Sequence, residues 1–162
     1  LGAHPAIEAI GRCLFHADVR VRAAAARALR DMGGGTLLLE AFPKVPPDTQ
    51  VEVAMGLGQL HYLPAIPAIS SVATGRGPMP YRMEAIKALG LMGSIEGTAV
   101  LAGLLKAKGL LAATELPEIR LAAAKALKGI GTREALDLLD QVAASAHVDF
   151  RQALVMLRQG KE

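Results

Sequence analysis

The stretch that decides the fold is IRLAAAKALKGIG at residues 119–131, because its pattern occurs three more times along the chain. The other copies are VRAAAARALRDMG at 21–33, TQVEVAMGLGQLH at 49–61 and YRMEAIKALGLMG at 81–93. The same position of each copy holds a leucine, namely Leu29, Leu57, Leu89 and Leu127. A fifth, degenerate copy begins near 148 and ends near 160. Self-similarity with a period of about 20–50 residues is typical of repeat proteins, so the sequence predicts a repeat array.

Each copy has the period of an amphipathic helix. In the first copy the apolar positions Val21, Ala25, Leu29 and Met32 share one face. Glycine ends three copies, at Gly33, Gly93 and Gly131, where a left-handed residue commonly closes a helix. Carboxylates stand at or just before the starts, at Asp18, Asp48 and Glu118, where they complement the helix dipole. The copies are therefore predicted to be helices.

A second amphipathic segment precedes each copy. These segments are 5–14, 36–42, 63–73, 95–107 and 132–143. The chain is thus predicted to be all-α, with five helix pairs in a single domain spanning 1–162. We expect the repeats at about 4–33, 34–61, 62–93, 94–131 and 132–160. One pair cannot bury its apolar face alone, so neighbouring pairs must stack to form the core.

The first copy with its preceding residues, Asp18 to Gly33, and the fourth copy carry the pattern Asp-x-x-Val-Arg-x-x-Ala-x-x-Ala-Leu most clearly. This pattern resembles the HEAT-like repeat of the phycobilisome-lyase (E-Z) type. The resemblance implies a right-handed α-solenoid whose second helices line a concave face. It also implies a structural role for the arginine of the Val-Arg step, found here as Arg22, Arg82 and Arg120. The second copy departs from the pattern, because Thr49 and Gln50 replace Val-Arg.

Catalytic and metal-binding signatures are missing from the sequence. Cys13 is the only cysteine, which leaves neither a disulfide framework nor a cysteine-built zinc site. Glycines 33–35 are not followed by the Gly-Lys-Ser/Thr of a phosphate loop. Some HEAT-like proteins are iron-dependent hydroxylases that use His-Glu pairs, yet this sequence contains no His-Glu dipeptide. We therefore expect no catalytic residues, no cofactor and no metal, and the protein is predicted not to be an enzyme.

The exposed column of the second helices is the predicted functional surface. Its candidate partner-binding residues are Arg27, Arg30, Met55, Met83, Lys87, Lys125 and Lys128. Adaptable methionines beside positive charge favour a protein or peptide partner, one that could be acidic. The predicted function is a non-catalytic scaffold for protein–protein interaction. Three alternatives stay open: a solvated basic face, an accessory subunit of a phycobilisome-lyase-like enzyme, and a weak nucleic-acid-binding module.

Charge disfavours nucleic acid as the partner. Eighteen Lys and Arg against fifteen Asp and Glu give a net charge of only +3, far from the dense basic stripe of a dedicated binder. Aromatic residues make up 3% of the chain and Trp is absent, so few side chains are available to stack on bases.

A membrane span is also disfavoured. Residues 53–75 contain no Asp, Glu, Lys or Arg, but Pro64 and Pro67 interrupt them, which predicts two short buried helices. The single cysteine and the lack of a signal peptide favour a cytoplasmic location. Because the chain begins with Leu1 rather than Met, we expect it to be a fragment of a longer protein.

Overall fold

The computed structural model describes residues 5–106, 117–146 and 148–160. Within these ranges the chain forms ten α-helices, two short 3-10 helices and no strand. The first helices of the pairs are α1 (Pro5–Arg12), α3 (Gly35–Ala41), α5 (Ile66–Thr74), α7 (Ile95–Lys106) and α9 (Arg133–Ser145). The second helices are α2 (Val19–Asp31), α4 (Pro47–Gln59), α6 (Met79–Met92), α8 (Pro117–Ile130) and α10 (Val148–Gln159). The predicted all-α fold of paired helices is confirmed.

The second helices form the continuous spine of the molecule. Helix α4 packs between α2 and α6, helix α6 packs between α4 and α8, and α10 closes the series against α8 and α9. The first helices contact each other much less than the second helices do. This arrangement is an α-solenoid, and we call the side formed by the second helices its inner side.

The repeated leucine forms the centre of the core. Leu29, Leu57, Leu89 and Leu127 are each fully buried, with a relative exposure of 0%. Each sits on a second helix, so the core is a row of similar contacts between neighbouring helices rather than one globular centre. Every pair therefore depends on its neighbours for burial.

The helix ends follow the predicted signals. Gly33, Gly93 and Gly131 have positive φ angles of 72°, 62° and 71°, the left-handed conformation that closes a helix. In the second pair His61 takes this place with a φ of 49°. At the start of α2, the carboxylate of Asp18 accepts a hydrogen bond of 2.8 Å from the backbone N–H of Arg20.

The fourth residue of the second helices binds the end of the preceding helix. Arg82 Nε donates to the Ala73 carbonyl at 3.0 Å, and Arg120 Nε donates to the Leu105 carbonyl at 3.1 Å. These carbonyls lie at the ends of α5 and α7, where backbone oxygens lack helical partners. The structural role that the resemblance implied for these arginines is confirmed.

Arg22 also reaches the next pair. Its Nη1 donates to the carbonyls of His16 and Ala17 at 2.8 Å, in the turn before α2. Its Nε donates to Thr49 Oγ1 and its Nη2 to Asp48 Oδ2, both at 2.7 Å, at the start of α4. One buried arginine therefore joins the first two pairs.

Arg151 occupies the same position in α10, and its Nη2 donates to the carbonyls of Ala144 and Ala146 at 3.4 and 3.1 Å. The sequence did not single out this residue, because the fifth copy is too degenerate to align at its first turn. These hydrogen bonds show that Arg151 joins α10 to the end of α9, as Arg82 and Arg120 join their helices to the preceding ones.

The segment 53–75 forms two separate helices, as predicted. It contains the second half of α4, the 3-10 helix Leu63–Ala65 and α5. No helix in the described ranges combines the length and the apolar composition that crossing a bilayer requires.

Candidate functional site

Small residues bring the second helices into close contact. A Cβ atom at Gly58 of α4 would lie 2.9 Å from the Cα atom of Ala88 on α6. A Cβ atom at Gly90 of α6 would lie 2.8 Å from the Cβ atom of Ala126 on α8. Side chains larger than hydrogen do not fit at these glycines unless the helices move apart.

A groove of about 640 Å³ lies along the contact between α6 and α8. From α6 it is lined by Met83, Glu84, Ile86, Lys87, Gly90 and Leu91. From α8 it is lined by Glu118, Leu121, Ala122, Lys125, Ala126 and Gly129. We call this feature the α6–α8 groove. Its volume falls within the range of about 300–1,000 Å³ that is usual for small-molecule pockets.

Apolar side chains form most of the groove surface. Met83 and Leu91 keep relative exposures of 38% and 39% although both are large hydrophobic residues. They stand eight residues apart on α6, towards opposite ends of the groove. The groove therefore offers apolar contact area that no other described part of the chain covers, and Met83 can adapt its shape to a partner.

The charged residues of the groove are not all neutralised. Lys87 Nζ lies 2.9 Å from Glu84 Oε1, so these two side chains form an ion pair on α6. Lys125 is exposed on α8 and has no ion pair with any described residue, and the same holds for Glu118. Lys87 and Lys125 are each the ninth residue of their helix, so both lysines stand at the same level of the repeat.

Three of the seven predicted binding residues line the groove, namely Met83, Lys87 and Lys125. The other four lie outside it. Arg27 Nη1 is 3.9 Å from Glu52 Oε2, and Met55 is half-buried on α4. Arg30 donates to Gln59 Oε1 at 2.8 Å and pairs with Asp31 at 2.7 Å. Lys128 is half-buried, and its ammonium donates to the carbonyl of Leu157 at the end of α10.

Sequence reasoning did not name Glu84, Leu91 or Glu118 as site residues. A signal was present, because Met83, Lys87 and Leu91 follow the spacing i, i+4, i+8. Glu118 precedes Lys125 by seven residues and so shares its helix face. Glu84 precedes Lys87 by three residues and so lies beside it on the helix surface. Extending each predicted position along the face of its own helix would have found all three.

The clearest pKa shifts lie outside the groove and mark structural contacts. Arg158 donates to both carboxylate oxygens of Asp140, at 3.1 and 2.9 Å. These hydrogen bonds lower the pKa of Asp140 and join α9 to α10. The side-chain and backbone hydrogen bonds from Arg20 likewise lower the pKa of Asp18. Burial lowers the pKa of Arg120, whose guanidinium stacks 3.9 Å above the centre of the Phe150 ring.

No metal-binding cluster forms among the described residues, where no three His, Cys, Asp or Glu side chains come together. Cys13 is half-buried, and its thiol donates to the carbonyl of Ala9 at 3.5 Å.

Comparison with known protein families supports the sequence resemblance. Residues 119–145, which cover nearly all of α8 and the whole of α9, match the family of the PBS lyase HEAT-like repeat. The resemblance noted in the fourth copy is thereby confirmed. Among solved structures, the chain is similar to human deoxyhypusine hydroxylase in complex with glycerol, at 15% identity and a TM-score of 0.39 over 98% of this chain and 85% of that chain. No curated protein matches this chain in sequence.

Proposed function

We propose that this protein is a non-catalytic scaffold that binds a partner protein or peptide along the inner side of its helix stack. The contact is made at the α6–α8 groove. The observation that supports this proposal is the combination of exposed apolar side chains with the unpaired ammonium of Lys125 in one groove. Repeat arrays commonly use such a continuous helical face to bind extended partners.

The distribution of charge favours a protein partner over nucleic acid. Arg27, Arg30 and Lys87, three of the five basic side chains predicted for this face, already pair with carboxylates of this chain. Phosphate binding relies on basic groups that are free to replace counterions. Lys125 is the exposed cation of this set that stays free among the described residues, and one cation suits a single acidic contact.

A cytoplasmic location is part of this proposal. The single cysteine fits a reducing compartment, since small secreted domains commonly rely on disulfides. Fractionation of cells that express the full gene product, followed by immunoblotting, tests the location.

The function is tested by comparing partner capture by the wild type and by charge-reversed variants. The Lys87→Glu/Lys125→Glu double variant changes the groove, whereas Arg133→Glu makes the same kind of change on α9, where the side chain is 91% exposed. We expect the wild type and Arg133→Glu to retain the same partner, and the double variant to lose it. Equal retention by all three proteins would show that the groove is not the binding site.

A second measurement separates the protein and nucleic-acid alternatives. Fluorescence anisotropy with a labelled single-stranded oligonucleotide should show no saturable binding at physiological salt. Tight binding with a steep salt dependence would instead favour the nucleic-acid-binding module.

A further inference from the structure

We infer that the α6–α8 groove receives an amphipathic helix of the partner, which places a carboxylate opposite Lys125. This inference rests on the proposed function, because it specifies the partner segment that binds the same site. It follows from the length of the exposed apolar surface, from the small residues along the groove, and from the positions of the unpaired charges.

The length of the exposed apolar surface sets a minimum length for the occupant. Met83 and Leu91 are eight residues apart on α6, which corresponds to about 12 Å along the helix axis. An occupant that covers both side chains must span at least this distance. A helix of about eight residues has this length and can present one apolar face along all of it.

Small residues allow another helix to approach. Gly90, Ala126, Ala122 and Gly129 all line the groove, and a Cβ atom at Gly129 would meet no atom within 4 Å. Side chains of a third helix can enter such a groove between two helices, as ridges enter grooves in ordinary helix packing. The apolar face of an amphipathic helix would bury the exposed parts of Met83 and Leu91 in the same step.

The unpaired charges define the acidic contact and the direction of the bound helix. Glu118 and Lys125 lie seven residues apart on α8, or about 10.5 Å along the axis. Lys87 is already neutralised by Glu84, so Lys125 is the groove cation that needs an anionic partner. A bound helix with an acidic residue opposite Lys125 and a basic residue two turns away, opposite Glu118, satisfies both charges in one orientation only.

The inference is tested with displayed peptides. A random library of helix-compatible peptides of about 16 residues is selected against the whole immobilised chain. The enriched peptides should have apolar residues at i, i+3 or i+4, and i+7, together with a conserved acidic position. Their affinities are then measured by fluorescence anisotropy for the wild type, Met83→Asp, Lys125→Glu and the control Arg133→Glu.

We expect Met83→Asp to weaken binding by about tenfold or more, Lys125→Glu to weaken it by about threefold or more, and Arg133→Glu to leave it unchanged. Replacing the acidic residue of the peptide with lysine should restore binding to Lys125→Glu and weaken binding to the wild type. This exchange identifies the contact, because a variant that had merely lost its fold could not be rescued by a peptide.

Each other outcome overturns the inference in a distinct way. Met55→Asp is measured as a further variant on α4, outside the groove. If it weakens peptide binding and Met83→Asp does not, the scaffold function stands, whereas the assignment of the groove and the inference both fail. No enrichment of helical peptides would refute the inference and leave the proposed function to the capture experiment, whereas binding that only Arg133→Glu weakens would refute both. Dimers in sedimentation that Met83→Asp dissociates would show that a second copy of the chain fills the groove instead.

Discussion

Replacing Gly58 with alanine should destabilise the protein, although alanine is the better helix former. The new Cβ atom would lie 2.9 Å from the Cα atom of Ala88 and 3.1 Å from its carbonyl oxygen. These are mainly backbone atoms, so relief requires α4 and α6 to separate. Helix propensity contributes a gain of roughly 1 kcal/mol, while overpacking costs roughly 1–3 kcal/mol. We expect a net loss of about 1 kcal/mol in the free energy of unfolding.

Gly129 provides the matched control. It is the second-to-last residue of α8, as Gly58 is of α4, so both alanines act at the same place in a helix. A Cβ atom at Gly129 would meet no atom within 4 Å. Gly129→Ala should therefore keep the propensity gain without the steric cost. The two variants should differ by about 1–3 kcal/mol, which measures the close approach of α4 to α6.

Urea unfolding followed by far-ultraviolet circular dichroism gives both values. The slope of each transition must first match that of the wild type, because loss of cooperativity between repeats would change the slope. Equal stabilisation by Gly58→Ala and Gly129→Ala would refute the reasoning, since α4 and α6 would then have room for the added methyl group.

Three further perturbations test other contacts. Leu89→Ala should lower the free energy of unfolding by roughly 2–5 kcal/mol in urea, because it opens a cavity at a fully buried position. Leu91→Ala, at a site that is 39% exposed, should lower it much less. Equal losses for the two variants would contradict the assignment of Leu89 to the core. Arg22→Met should destabilise the chain by roughly 1–3 kcal/mol and lower its melting temperature, since it removes the hydrogen bonds to His16, Ala17 and Thr49. Arg20→Met, at an exposed side chain, should have little effect on the melting temperature. Similar melting temperatures for the two variants would exclude a connecting role for Arg22. The pKa of Asp140 is lowered in the folded protein. The carboxylate therefore stabilises the fold above the pKa of an unfolded aspartate, about 3.9, and this stabilisation is lost as the pH falls through the folded pKa. Asp140→Asn should reduce the loss of stability on acidification, and a pH profile of thermal unfolding identical to that of the wild type would contradict this.

The sequence predicted the helix pairs well because their signals are local. Apolar period, closing glycines and the Asp18 cap all act within one or two turns. The first residues of the second helices were predicted less accurately. Helices α6 and α8 begin at Met79 and Pro117, two residues before the aligned copies. The alignment began at the Val-Arg step, whereas the first turn starts earlier, at the preceding proline or cap.

The groove was predicted only in part, because it depends on contacts between repeats. Aligning the repeats with one another identified Met83, Lys87 and Lys125, which line the groove from their two helices. It did not predict that Lys128 donates to Leu157. That contact depends on how α8 and α10 are offset along their axes, and no local pattern encodes such an offset. The depth of the groove likewise depends on the approach of Gly90 to Ala126.

The arginine at the fourth position of the second helices bears on how such a chain can change in length. Arg82, Arg120 and Arg151 each donate hydrogen bonds that join a helix to the end of the one just before it. A gene duplication that copies one of these units therefore also copies the contact that holds its two helices together. The second unit is the exception, because Gln50 stands at that position and Arg22 of the first unit supplies the bonds to Asp48 and Thr49. The first two units should therefore be gained, lost or transplanted together, as one inherited module.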